Sequence, residues 1–253
     1  MVLIFTQSCS FNEFENSNRI IDISNEIELL LLPDLNLPNQ LKWVVSTKEN
    51  RYCETAFIET QLINREQTQD LLIKGIISPS NCMVNDTRLI AIESFPLNER
   101  YVVDLEFAND LSSKIDLTFI DNTIIIDHEN VDYFSFNQSS LKFSSNTQIW
   151  IGLDESNSPT TNEFTEFVEN SLSLFELKTV GQGDYGYIYQ EEELNYVVHP
   201  TNYTKHENFL AYEIPSDIDY HVFRDQLLDA SISYRMQNPN FEFYIATNRG
   251  DLF

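Results

Sequence analysis

The sequence predicts an α+β protein: a mainly antiparallel β region, built as a sandwich or a strongly twisted sheet, followed by a smaller α+β unit with two amphipathic helices. Three observations support this. From about residue 20 to residue 153, apolar and polar residues alternate with the period of half-buried strands. A run of turn formers at residues 154–160 ends that pattern. Beyond it, two segments repeat apolar residues at three and four positions, each opened by a capping signal.

Residues 1–19 form the N-terminal strand or tether. Val2 to Phe5 are apolar, but the run carries no basic residue and is too short to be a signal-peptide core as written. Two readings stay open for it. In one, the run is an ordinary first strand and Cys9 a buried thiol. In the other, which needs a start codon upstream, Ser8-Cys9 ends a lipoprotein signal, Cys9 is acylated, and the polar stretch after it is a tether.

The β-rich domain is expected over residues 20–153, with strands at 29–32, 41–46, 55–63, 88–95, 101–107, 115–119, 123–126, 133–136 and 148–153. The pattern is clearest where Tyr101, Val103, Leu105 and Phe107 are apolar and Asp104 and Glu106 point the other way. Ile115, Leu117 and Phe119 repeat it, and Asp121-Asn122 marks a hairpin turn. A helix is expected to interrupt the strands near residues 66–76.

After the linker at 154–160, the α+β domain occupies residues 161–253. Thr160 and Glu163 have the spacing of a capping box, and Phe164, Phe167, Val168, Leu172 and Phe175 form the apolar stripe of a first helix. Strands follow near 185–189, 196–199 and 209–214. Ser216 and Asp219 repeat the capping pattern after Pro215, and Tyr220, Phe223, Leu227, Ala230 and Tyr234 line a second helix that ends before Pro239. A last strand covers 241–247. No repeat of 20–50 residues appears, which excludes a solenoid or propeller.

Charge is the most unusual property of the 253 residues. Only seven Lys and eight Arg stand against 40 Asp and Glu, a formal net charge of −25. That balance excludes a protein gripping nucleic acid through a basic patch, because phosphate binding needs clustered cations. It favours a basic protein partner, reached by electrostatic steering. At 42% hydrophobic and 13% aromatic, the chain is expected to bury a core and not to behave as a disordered polyanion.

No catalytic, cofactor or metal motif stands out. Gly181, Gly183 and Gly186 match G-x-G-x-x-G, but a helix precedes them and a strand follows, the reverse of a dinucleotide fold, so they read as a helix stop and turn. His199 and His206 flank a loop with Glu207, without H-E-x-x-H or paired-cysteine spacing, and read as loop surface. Catalytic, cofactor-binding and metal residues are therefore all expected to be absent. Cys53 and Cys82 form a candidate disulfide, closing a loop of about 30 residues and worth roughly 3–4 kcal/mol on the chain-entropy account. No transmembrane segment is expected, and a membrane would be reached only through lipidation of Cys9.

The expected interface combines tyrosines, which bury area at low entropic cost, with carboxylates. Its candidates are Tyr185, Tyr187, Tyr189 and Tyr196, with Glu191, Glu192, Glu193, Asp104 and Glu106; Tyr203 and Tyr212 belong to the same aromatic-rich stretch. The function expected from these features is a non-enzymatic, acidic inhibitor of immunity or anti-defence type, acting in the cytoplasm on a basic, nucleic-acid-binding surface of a partner. The first alternative is an envelope lipoprotein whose β-rich domain binds a ligand or protein. A cofactor-free hydrolase is the second.

Overall fold

The structure is a computed structural model and describes residues 27–49, 51–79, 86–107, 111–129, 134–153, 161–175, 177–191, 194–215 and 217–253. The expected tether at 1–19 and linker at 154–160 lie outside the described residues. The described chain is mostly β with two α-helices, a β-rich α+β fold.

The strands in the first part of the chain are β1 (Ile27–Pro33), β2 (Gln40–Thr47), β3 (Phe57–Asn64), β4 (Thr68–Ile77), β5 (Ile90–Pro96), β6 (Arg100–Phe107), β7 (Ser112–Ile120), β8 (Thr123–His128), β9 (Phe134–Ser135), β10 (Ser140–Lys142) and β11 (Thr147–Leu153). The first ten pair into one four-stranded sheet, β5-β2-β1-β9, and one six-stranded sheet, β10-β8-β7-β6-β4-β3. Most neighbours are antiparallel, with β4 on β6 and β1 on β9 parallel. The β7–β8 hairpin turns through Asp121 and Asn122, both at positive φ (47° and 62°), a conformation that short Asx side chains tolerate and that matches the twist of the strands.

Both sheets contribute to the first core. Leu29, Leu31, Leu41, Trp43 and Val45 from one meet Leu71, Ile73, Val103, Leu105, Ile115 and Leu117 from the other. Trp43 lies at its centre, stacked on Phe95 and edge-on to Phe136. The opposite faces of β1 and β2 are buried as well: Leu30, Leu32 and Val44 enter a second core. Burial on both faces accounts for the unbroken apolar run of β1, where a half-exposed strand would alternate.

The helix expected near residues 66–76 is a strand, β4. Gln69, Leu71 and Ile73 are fully buried at every second position, and the outward-facing Leu72 hides that alternation in the sequence. Gly75, at φ 140°, sits beside the register shift at Glu59/Thr60, where β3 and β4 form a bulge.

The second part adds α1 (Thr161–Ser171), a 3-10 turn at Ser173–Phe175, β12 (Lys178–Thr179), β13 (Gly183–Asp184), β14 (Ile188–Gln190), β15 (Asn195–Val198), β16 (Lys205–His206), β17 (Phe209–Ile214), α2 (Tyr220–Gln237) and β18 (Phe243–Thr247). β11, which the sequence places at the end of the first domain, is a central strand of a third sheet, β12-β17-β11-β18. On one face of this sheet α1 and α2 close a third core through Phe164, Val168, Leu172, Phe223, Leu227 and Tyr234. On the other face, Trp150 stacks on Tyr187 at 5.3 Å and donates to the Val198 carbonyl, meeting the meander β13-β14-β15-β16 in the second core. The cap of α2 is Asp219, whose carboxylate accepts from the His221 amide, and the helix begins at Tyr220.

Polar joints reinforce the second core. Glu28 on β1 accepts from Arg88 (2.7 Å) and from Lys205 on β16 (2.6 Å), and Arg88 also donates to Ser46, Thr47 and the Tyr203 carbonyl. Gln138 accepts from the Leu31 amide and donates to the Leu31 carbonyl and to Asp184. The glycine motif serves this joint: Asp184 accepts from the Gly186 amide, and a Cβ on Gly186, which sits at φ 81°, would lie 2.7 Å from Pro33. The motif is a packed turn between sheets.

Candidate functional site

The 40 acids are deployed differently in different places. On the outer face of the six-stranded sheet they are interleaved with cations: Arg65 pairs with Asp70 (2.7 Å), Lys74 with Glu59 (3.4 Å), Lys114 with Asp104 (3.5 Å) and Arg100 with Asp116 (3.8 Å). The Lys114 pair is also cross-strand, because Asp104 on β6 lies opposite Lys114 on β7. Most of the charge on this face is locally matched.

The helical layer is different. On α1, Glu163, Glu166 and Glu169 are exposed at three-residue spacing, opposite the buried Phe164 and Val168. On and before α2, Asp217, Asp219, Asp225 and Asp229 are exposed. The two cations of α2 are occupied: Arg224 is held by Asp251 (2.7 Å) and Asp225 (3.6 Å), and Arg235 lies over the Phe243 ring and donates to its carbonyl. Both helices thus turn carboxylates outward from a well-packed base.

The tyrosine patch does not form a surface. Tyr187 and Tyr196 are buried in the second core, as is Tyr203, while Tyr212 is buried against the helices. Tyr185 is half-buried beneath Lys142, and Tyr189, also half-buried, stacks flat on Tyr196 at 5.0 Å. Burial pushes the phenols of Tyr187 and Tyr196 well above the ordinary tyrosine range, and raises Tyr189 to about 12 with help from Glu191. The physical reason is long-range: Leu30, Leu32 and Val44 of the first sheet cover the meander, a contact that strand alternation cannot reveal.

Among the other sequence candidates, Asp104 is ion-paired on the six-stranded sheet, Glu106 is exposed on the same strand, and Glu191 is exposed at the end of β14. Glu192 and Glu193 lie outside the described residues. The described acidic candidates are therefore split between two sheets: Glu191 lies beside Tyr189, whereas Asp104 and Glu106 stand on the six-stranded sheet. Cys53 is buried and disulfide-bonded; its partner lies outside the described residues, as do Cys9 and Cys82.

A cavity of about 610 Å³ opens beside β18, lined by His199, Lys205, His206, Glu207, Glu242 and Tyr244 among others. Tyr244 packs edge-on to both imidazoles, at 4.3 and 5.1 Å, over Gly152, where any side chain would collide with its ring. Burial, and then His206, lower the pKa of His199, which keeps its imidazole neutral and able to accept from the Thr201 amide. The two histidine ring centroids are 6.4 Å apart, and no group of three metal-ligating side chains occurs among the described residues. No serine, threonine or cysteine lines the cavity among the described residues, and the nearest hydroxyl to its imidazoles that the hydrogen bonds show is that of Thr201, 3.1 Å from His199 Nδ1.

The outward carboxylates of the helices and the exposed apolar residues between them were not read from the sequence as a site. A signal was present: a second three-and-four spacing in α2, through Val222, Asp225, Asp229, Ile232 and Met236. Comparison with known protein families, curated proteins and solved structures finds no match. Among the described residues, no helix is long and apolar enough to cross a membrane.

Proposed function

We propose that this chain is a non-enzymatic binding protein of inhibitor type that occupies a basic surface of a protein partner with its helical layer. The observation that supports it is the contrast in charge pairing. Carboxylates on the six-stranded sheet have cations beside them, whereas those on α1 and α2 outnumber two cations that are already engaged. Such a field accelerates encounter with a cationic surface and is screened by salt over a Debye length of about 8–10 Å. Because Tyr187 and Tyr196 are buried, the aromatic anchor expected from the sequence has no part in this reading.

Cross-linking of the native protein to its bound partner tests it. The expected result is cross-links concentrated on α1 and α2, a partner basic at the contact, and affinity that falls steeply with ionic strength. A neutral or acidic contact, or affinity that is flat with salt, overturns it.

A second reading, an extracytoplasmic lipoprotein with a β-rich binding domain, is favoured by one observation. Cys53 is disulfide-bonded, and structural disulfides persist in oxidising compartments. Intact mass of the native protein with and without reductant checks it: a lipid adduct on Cys9 and a reducible bridge support this reading, and a fully reduced, unmodified chain excludes it.

A further inference from the structure

On α2, Val222, Asp225, Asp229, Ile232 and Met236 follow one another at alternating steps of three and four residues, the spacing of a coiled-coil seam. They lie on the side of the helix opposite Phe223, Leu227, Ser231 and Tyr234, which are buried in the third core. The apolar members are open to solvent: Val222 is 52% exposed, Ile232 46% and Met236 80%. Such a stripe is left largely uncovered by the fold. At a rise of 1.5 Å per residue it is about 21 Å long, the length of a helix-in-groove contact.

We infer that this seam docks an amphipathic helix of the partner, apolar at the two ends of its contact stripe and bearing lysine or arginine at the centre. The inference rests on the acidic-binding reading and narrows it to one surface and one partner element. Charge selects the occupant. Asp229 has no ion-pair partner among the described residues, and Asp225 has only the shared Arg224. A second copy of the chain is the wrong partner: antiparallel pairing sets Asp229 against itself and Asp225 against Ile232, and parallel pairing opposes both aspartates to their copies. Residues 1–26 are also unsuited, because they carry Glu13, Glu15, Asp22 and Glu26 against a single arginine, Arg19. A cationic helix gives each aspartate a counter-ion and covers Val222, Ile232 and Met236 at the ends.

The test is fluorescence anisotropy of the full chain with labelled helical peptides that carry leucine at the outer seam positions and, at the inner ones, lysine or glutamate. The lysine peptide is expected to bind and the glutamate peptide not. Met236→Glu or Ile232→Glu should weaken binding about tenfold, and the double variant Asp225→Lys, Asp229→Lys should reverse the preference. All four side chains face solvent, so circular dichroism of each variant should match the parent. If a proline-interrupted peptide of the same composition binds as well as the helical one, the seam is wrong while the acidic-binding reading stands. If no cationic peptide binds, both fail. A dimer in sedimentation that Met236→Glu dissolves makes a second copy the occupant and overturns the inference.

Discussion

The outer face of the six-stranded sheet and the helical layer have similar numbers of acidic residues and use them in opposite ways. On the sheet, strand pairing brings Asp104 across from Lys114, and Arg65, Lys74 and Arg100 each reach a carboxylate. On the helices, the basic residues bend back to the body, Arg224 to Asp251 and Arg235 to Phe243, and leave the aspartates and glutamates facing water. Net charge alone therefore says little about where a protein is sticky. What matters is whether the cations stand among the acids or are held elsewhere.

The largest expected effect lies between those faces, at the joint of two inner regions, the four-stranded sheet of β1 and the meander of β16. Glu28→Ala leaves Arg88 and Lys205 without their shared carboxylate in a mostly buried setting, and should lower unfolding free energy by about 3 kcal/mol in urea titration. A change below 0.5 kcal/mol would mean that the two regions are not coupled through this contact.

An effect of similar size depends on pH. Burial first of all, opposed by hydrogen bonds from Gln138 and Gly186, raises the Asp184 carboxyl from 3.8 to about 6. The folded state therefore holds this proton more tightly than the unfolded chain does. Its contribution to stability is full below about pH 4 and is lost as pH rises through about 6, with a total near 3 kcal/mol. Thermal melts of the wild type and of Asp184→Asn across pH 4–7 should differ in slope, with the variant flatter. Equal slopes would assign the pH dependence to other groups.

The smallest effects sharpen the comparison itself. Lys114→Glu places like charges across β6 and β7 and should cost about 0.5–1 kcal/mol. Asp229→Lys, in a surplus of negative charge, should change stability by less than about 0.5 kcal/mol or raise it. Were the helical substitution the costlier one, the carboxylates of α2 would be structural and the proposed binding surface would lose its basis.

The strands were legible where one face is wet. Tyr101, Val103, Leu105 and Phe107 of β6 are buried, and the intervening residues are not, as their alternation implies. Legibility failed where a residue on the outward face is apolar: Leu72 beside Leu71 made β4 resemble a helix. It failed again for the tyrosines, because a strand with alternating aromatics looks the same whether its covered side faces solvent or a distant segment. Only the approach of β1 and β2 decides that, and nothing local encodes it. The outward seam of α2 repeats at the same three-and-four spacing as the inward stripe of Phe223, Leu227 and Tyr234, so the spacing by itself does not tell the core-facing side from the other.

The central strands β1 and β2 of the sheet β5-β2-β1-β9 have no weather side: Leu29 and Leu31 serve one neighbour, Leu30 and Leu32 the other. A cut between β11 and α1 would strip one flank of that central wall and, since β11 is a middle strand of the helical half, would unravel what it was meant to liberate. The two halves are not portable modules. Grafting the helices onto another scaffold would require carrying along the wall on which they ultimately lean.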